Sequence, residues 1–321
     1  MRRAILLMGP TGSGKTELAM QLAETLPLEI ISVDSALVYR GMDIGTAKPD
    51  AAARARVAHH LIDIRDPAQS YSAGEFTRDA LRAMRDIWQR RRQPLLVGGT
   101  MLYFHALSHG IADLPEADPD VRAGIERQAA ISGWAAVHGE LAEVDPAAAA
   151  RIHVNDPQRI QRALEVYRLT GTTITNLQQK RLPLFADVHV TEIAVAPLER
   201  RDLHTRIETR FGRMLDAGLL GEVRTLYERS DLSAEHPSMR AVGYRQLWRH
   251  LAGQCSLDEA CTQAIAATRQ LAKRQMTWLR RRDRAQWFDS MHPEVAPMMI
   301  DALCKGAFQA PFGLTPQDVL C

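Results

Sequence analysis

Hydrophobic residues enter this chain in two alternating patterns, short unbroken runs and stripes at helical spacing. The first run, Ala4-Ile5-Leu6-Leu7-Met8, has the length of a buried strand. Glu17 to Leu26 follows it with Leu18, Ala19, Leu22, Ala23 and Leu26 one helical turn apart. Glu29 to Val33 reads as a second strand and His59 to Ile64 as a short third. Glu75 to Arg92 is predicted as an amphipathic helix, with Phe76, Ala80, Met84, Ile87 and Trp88 facing inward. Arg90-Arg91-Arg92 forms its solvated end, where cations suit the helix dipole. Pro94 to Val97 is a fourth strand, and Met101 to His109 a further helix. Val188 to Val195 is strand-like and ends at Pro197, which returns the chain to the sheet. Arg200 to Ala217 is a charged helix with the stripe Leu203, Ile207, Phe211, Met214 and Leu215. Thr268 to Arg284 is a strongly basic helix anchored by Met276, Trp278 and Leu279. Strands alternating with helices predict an α/β fold built on a parallel sheet flanked by helices.

One region breaks the alternation. From Asp113 to about Ala186, Pro115, Pro119, Pro146, Pro157 and Pro183 punctuate a helical stretch with few β-branched runs. This predicts an all-helical subdomain over 113–186, inserted between the two parts of a core, 1–112 and 187–321. A helix is expected to begin near Asn155-Asp156-Pro157, with Pro at a favourable early position and Arg159 and Arg162 on one face. The tail from Ser290 to Cys321 has scattered prolines and no periodicity, and no element is predicted in it.

The chemistry begins at the first strand–helix junction. Gly9-Pro10-Thr11-Gly12-Ser13-Gly14-Lys15-Thr16 fits G-x-x-x-x-G-K-[ST] and has the flanking strand and helix that a phosphate-binding loop requires. Glycines let the backbone turn its N–H groups around an anion, and the helix start adds the positive end of its dipole. Lys15 supplies a point charge, and the Thr16 hydroxyl is a candidate Mg²⁺ ligand. Asp34 ends the second strand on the edge where parallel sheets bind ligands. It can be a Mg²⁺ ligand, a general base or a cap on the next turn. The run Ala36 to Pro49 mixes aromatic, basic and glycine residues without periodicity, as a shaped loop at a site would. Gly98-Gly99-Thr100 is a second glycine turn on the same edge. His59 and His60 are adjacent on a strand and point to opposite faces, so a structural role is expected for at least one of them.

Composition narrows the partners. Lys and Arg total 40 against 38 Asp and Glu, a net charge of +2, so any RNA-binding surface must be local. Two local candidates exist. Arg240-Ala241-Val242-Gly243-Tyr244-Arg245 sets an aromatic residue between arginines, and the basic helix carries Lys273, Arg274, Arg280 and Trp278. A charge run is otherwise a solvated face. Cys255, Cys261, Cys304 and Cys321 are scattered and imply neither a zinc site nor a disulfide frame. No apolar run approaches the roughly 18 residues of a membrane span, and a strand starting almost at Met1 leaves no signal peptide. A cytoplasmic protein is expected.

Together, Gly9–Thr16, Asp34-Ser35-x-x-Val38-Tyr39, Gly41 to Pro49 and Gly98-Gly99-Thr100-Met101-Leu102-Tyr103 resemble the tRNA dimethylallyltransferases, over roughly residues 1 to 288. The resemblance implies a P-loop NTPase-like core and a bacterial form without the zinc finger that longer relatives append. Many relatives have Gln where this chain has Leu37. The implied reaction moves a dimethylallyl group from dimethylallyl diphosphate to the exocyclic amine of the adenosine beside the tRNA anticodon, with Mg²⁺ as cofactor. The implied catalytic residues are Asp34 as base, with Lys15, Thr16, Thr100 and Arg122. The implied tRNA contacts are Asp34, Ser35, Ala36, Leu37, Thr100 and Arg122, then Gln158, Arg159, Ile160, Gln161 and Arg162, then Arg240, Gly243, Tyr244 and Arg245, and last Lys273, Arg274, Gln275, Trp278 and Arg280. A monomer acting on the anticodon stem-loop is expected. Two rivals stand beside this. A small-molecule or nucleoside kinase would use the loop for ATP and has no use for the basic helix. An RNA-binding module cannot explain the loop.

Overall fold

In the computed structural model, the described residues are 2–110, 112, 114–179, 185 and 187–305. In chain order the elements are β1 (Arg2–Met8), α1 (Lys15–Thr25), β2 (Leu28–Val33), α2 (Ala51–Arg56), β3 (His59–His60), α3 (Ala73–Gln89), β4 (Gln93–Gly98) and α4 (Met101–His109). Next come α5 (Pro119–Ser132), α6 (Trp134–Val144), α7 (Pro146–Ala149), α8 (Pro157–Thr170) and α9 (Ile174–Gln179). The chain then forms β5 (Val188–Ala196), α10 (Arg200–Asp216), α11 (Leu219–Tyr227), α12 (Tyr244–Leu251), α13 (Leu257–Leu279), β6 (Gln286–Asp289) and α14 (Val295–Lys305).

The strands form one parallel sheet in the order β3-β2-β4-β1-β5-β6. Such a sheet is covered on both faces, so its strands read as unbroken apolar runs. All six residues of β2 and the last five of β1 are buried. Ile5, Leu7, Leu18, Leu22, Leu95, Val97, Ile193 and Val195 share one core cluster.

Several expectations change, among them the basic helix, which runs over Leu257–Leu279 rather than Thr268–Arg284. The third strand stops after His60, because Leu61 and Asp63 take left-handed φ values of 64° and 58°. Asp63 is there drawn into ion pairs with Lys48 and Arg54. The end of α3 is not merely solvated. Arg90 donates two hydrogen bonds, 2.9 and 2.7 Å, to the buried Glu29, which also contacts His60 at 2.8 Å. The Arg90 guanidinium holds the Glu29 carboxyl at about 2, with His60 adding to the effect against the cost of burial. The tail also contributes. Just after β6, which pairs with β5, the tail forms α14 and sends Val295, Ala296 and Met299 into the core cluster beside α1.

The chain divides into two compact units, Met1–His105 with Phe185–Cys321, and Ala106–Leu184. The division falls inside α4 rather than at Asp113. Asp113, Pro183, Ala186 and the tail after Lys305 lie outside the described residues. The second unit holds α5 to α9 around Ile125, Val137, Leu141, Ile160 and Leu164. Among the described residues no helix is long and apolar enough to cross a membrane. Met299 is fully buried, so Met299→Ala should lower unfolding free energy by about 2–5 kcal/mol in urea titration. A loss under about 0.5 kcal/mol would detach α14 from the core.

Candidate active site

Parallel pairing brings the ends of three strands to one level. Met8 and Val33 both register with Gly98, so Gly9, Gly99 and Asp34 leave adjacent strands together. A cavity of about 550 Å³ opens there within the first unit. Thr11, Gly12, Lys15 and Thr16 line it from the phosphate loop, Asp34 to Leu37 from the turn after β2, and Gly98 to Thr100 from the second glycine turn. Gly14 sits at φ 88°, a conformation that side chains disfavour, and no side chain caps the start of α1. The backbone N–H groups there remain available to an anion.

Charge in the cavity is concentrated and partly desolvated. Burial pushes the Lys15 ammonium down to about 8, with Asp34 opposing the shift and Arg210 adding to it. Arg210, on α10, is lowered by burial and supported by Asp34. Lys15 and Arg210 thus sit in the pocket beside the Asp34 carboxylate, with Arg240 and Arg274 also on its lining, and an incoming polyanion would offset the cost of keeping Lys15 and Arg210 charged. Arg210 was not among the residues read from sequence, where it was one arginine of a charged helix. One turn earlier, Arg206 Nε donates to the Gly12 carbonyl at 2.8 Å and holds the phosphate loop. Asp34 Oδ1 accepts the Ala36 and Leu37 N–H groups at 2.8 and 3.3 Å. The capping role therefore occupies one oxygen and fixes the carboxylate's orientation. Thr100 Oγ1 accepts the Ser35 N–H at 3.1 Å, joining the second glycine turn to this segment.

The loop after Tyr39 is a built wall. Glu222, on α11, accepts the N–H groups of Asp43, Ile44 and Gly45 at 2.8, 2.8 and 3.1 Å, and the Tyr244 hydroxyl. Burial, with Glu222 nearby, pushes that phenol's ionisation well up. Tyr244, an expected RNA contact, is fully buried with its hydroxyl on Glu222, and it lines the cavity rather than an outer surface. Gly243 is buried beside it, whereas Arg240 and Arg245 are exposed. On α13, Lys273, Arg274 and Trp278 are exposed, as is the C-cap Arg280, and Trp278 meets His105 edge-on at 5.8 Å. Gln275 turns the other way, into the glycine loops.

In the helical unit, Gln158 and Arg159 are exposed. Arg159 pairs with the α8 cap Asp156 at 3.2 Å. Ile160 is fully buried in that unit's core, so its side chain cannot face RNA as expected. Gln161 donates to Glu126 at 2.9 Å. Arg122 and Arg162 converge on the fully buried Glu165 at 2.8 and 2.6 Å, which fixes both guanidiniums.

The IPP transferase family model matches residues 37–282. The chain is 37% identical to the full-length tRNA isopentenylpyrophosphate transferase of Bacillus halodurans, covering 95% of this chain and 96% of that one, with a TM-score of 0.69. It is 33% identical to tRNA delta(2)-isopentenylpyrophosphate transferase of Staphylococcus epidermidis, covering 95% and 98%, with a TM-score of 0.68. The chain belongs to the IPP transferase family. A eukaryotic dimethylallyltransferase acting on tRNA, 24% identical over 96% of this chain and 79% of that one, shares the fold at a TM-score of 0.80. As an IPP transferase the chain is an enzyme of the prenyl-transferring class, and tRNA is the family's substrate. The kinase reading of the phosphate loop gains no support from these matches.

The Lys15 shift gives a test. Between about 8 and 10.5 the unfolded chain holds a proton that the folded one has released, so stability rises with pH across that window. An anion reverses this preference by favouring the charged amine. Inorganic diphosphate should therefore bind with proton uptake, and its affinity should fall as pH rises past about 8. Lys15→Met should lose this component, seen by calorimetry as the difference between the two proteins. Identical pH profiles would contradict the assignment.

Proposed function

We propose that this enzyme transfers a dimethylallyl group from dimethylallyl diphosphate to the exocyclic amine of the adenosine 3′ of the anticodon, in tRNAs reading codons that begin with U, and releases diphosphate. The observation that carries the reading is the make-up of the cavity. Lys15 and Arg210, the carboxylate Asp34, and apolar walls that include Ala19, Ile30 and Val97 line the same space. The apolar walls suit the hydrocarbon of a prenyl donor whose diphosphate lies on the cations.

In this reading the phosphate loop binds a leaving group. As the allylic C–O bond breaks, negative charge builds on diphosphate, and Lys15, Arg210 and the loop N–H groups oppose it in a desolvated setting. The C–N bond forms as the amine attacks, and the amine proton passes to the Asp34 carboxylate. The adenine lone pair is delocalised into its ring, so removing that proton as the bond forms contributes about 10²–10⁴-fold. Thr100 positions the segment that carries Asp34. The target base has to leave its stack to reach the cavity. Exposed Lys273, Arg274, Trp278 and Arg280, with Arg240, Arg245 and the Glu165-organised Arg122 and Arg162, are assigned to the anticodon arm.

Mg²⁺ is the cofactor we assign. Among the described residues no three His, Cys, Asp or Glu side chains cluster as a metal site. The donor set therefore suits an ion held mainly by phosphate oxygens and water, with the cavity-lining Thr16 hydroxyl as its protein ligand. When bound, it would neutralise part of the diphosphate charge. We place the enzyme in the cytoplasm as a monomer, where tRNA is at hand.

The test is single-turnover transfer with labelled dimethylallyl diphosphate and unmodified tRNA. Asp34→Ala should lower the rate by about 10²–10⁴-fold while donor binding persists. Equal loss of rate and donor binding would remove Asp34 as the base. Label reaching tRNA from ATP rather than from the donor would overturn the whole reading.

A further inference from the structure

Gln275 is placed unlike its neighbours on α13. Arg274 and Trp278 are exposed, whereas Gln275 is half-buried and spends both ends of its amide on backbone. Its Oε1 accepts the Thr11 N–H at 2.8 Å, in the phosphate loop. Its Nε2 donates to the Gly99 carbonyl at 2.9 Å, in the second glycine turn. The amide orientation follows from its partners, since an N–H can only donate and a carbonyl can only accept.

We propose that Gln275 is a positioning residue that holds the donor loop and the acceptor turn at a fixed spacing, and not an RNA contact. This deepens the transfer reading above and rests on it. On one side of the amide lies the loop assigned to diphosphate. On the other, Gly99 leads directly to Thr100, whose hydroxyl accepts the Ser35 N–H beside the proposed base Asp34. One side chain therefore ties the leaving-group site to the base. A transfer needs its reacting atoms about 3–3.5 Å apart and aligned, so this spacing bears directly on rate.

The residue type is specific. Bridging an N–H and a carbonyl takes one acceptor and one donor side by side, which an amide has. Ionised glutamate lacks the donor, while lysine and arginine lack the acceptor. Gly99 is matched to it, because a Cβ at that position would lie 2.4 Å from Gln275 Nε2 and 3.1 Å from the Gly9 carbonyl. The two residues form a pair in which either change displaces the other. The exposed Arg274 and Trp278 on the same turns make α13 a direct link between an RNA-facing surface and the reacting groups.

The experiment compares wild type with Gln275→Ala, Gln275→Glu, Gly99→Ala and the Gln275→Ala/Gly99→Ala double variant. Two quantities are read: equilibrium affinity for an anticodon stem-loop, and kcat at saturating RNA and donor. The expected result is RNA affinity within about twofold of wild type and kcat lower by on the order of 10²-fold in each single variant. The double variant should be no slower than the slower single one, since the two changes break the same bridge. Retained RNA affinity also certifies that each variant is folded. Gln275→Glu keeps the acceptor at Thr11 but sets a carboxylate oxygen against the Gly99 carbonyl, so it should fall with the alanine variant. Weakened RNA binding with kcat kept would make Gln275 an RNA contact and overturn the proposal. Unchanged kcat, multiplicative losses in the double variant, or joint loss of RNA binding and kcat in every variant would overturn it as well. Wild-type transfer alone tests the parent reading, and only ratios of variant to wild type test this one.

Discussion

The parallel register of β2, β4 and β1 is the constraint on which the site depends. Gly98 stands opposite Val33 on one side and Met8 on the other, so three chain segments leave the sheet at one level. Each brings a different chemical tool: an anion cradle, a carboxylate, and a glycine turn carrying a hydroxyl. A slip of one residue in either pairing would point the strand's side chains to the opposite face. It would also move Asp34 or the phosphate loop by about 3.3 Å, more than the tolerance of a bond-forming contact. The apolar runs that bury both faces of the strands thus also position the phosphate loop, Asp34 and the second glycine turn.

Around those strand ends the molecule uses long side chains to hold irregular backbone. Arg206 anchors the Gly12 carbonyl, Gln275 joins the two glycine loops, and Glu222 gathers three consecutive N–H groups of the wall at Asp43 to Gly45. Loops at a site carry backbone groups that no ladder satisfies, and each of these side chains supplies the missing partners. Such bracing leaves Lys15 and Arg210 facing the cavity with few nearby counter-charges, which is the condition for attracting a polyanion.

Much of this is legible in the sequence. Gly9–Thr16 is a local pattern whose spacing implies its own conformation, and Asp34 follows from the rule that parallel sheets bind at strand carboxyl ends. Long-range partners were not legible, because nothing local says that Glu222 faces residues 43 to 45 or that Glu165 gathers Arg122 and Arg162. Arg210 left a faint signal: Arg206 and Arg210 are spaced i, i+4 and flank the buried Ile207 and Phe211, so they border the apolar stripe. Taking residues 158 to 162 as one RNA-facing block ignored helical geometry. Five consecutive residues cover more than a full turn, and one of them, Ile160, had to face the core. The early start of α13 was written in Ser256 and Glu259, a capping box that the basic run further along overshadowed. In the tail, Val295, Met299 and Ala302 are buried at helical spacing among prolines, too short a stripe to stand out alone.

The central claim is that a phosphate loop here serves a departing diphosphate rather than phosphoryl transfer. The most direct measurement is the fate of the bridging oxygen of dimethylallyl diphosphate, labelled as oxygen-18 and followed by mass spectrometry through a single turnover on tRNA. Cleavage of the carbon–oxygen bond leaves all the label in the released diphosphate and none in any alcohol. That is the result the account predicts. Label retained on the hydrocarbon would mean that a phosphorus–oxygen bond breaks, and would contradict the account of the site.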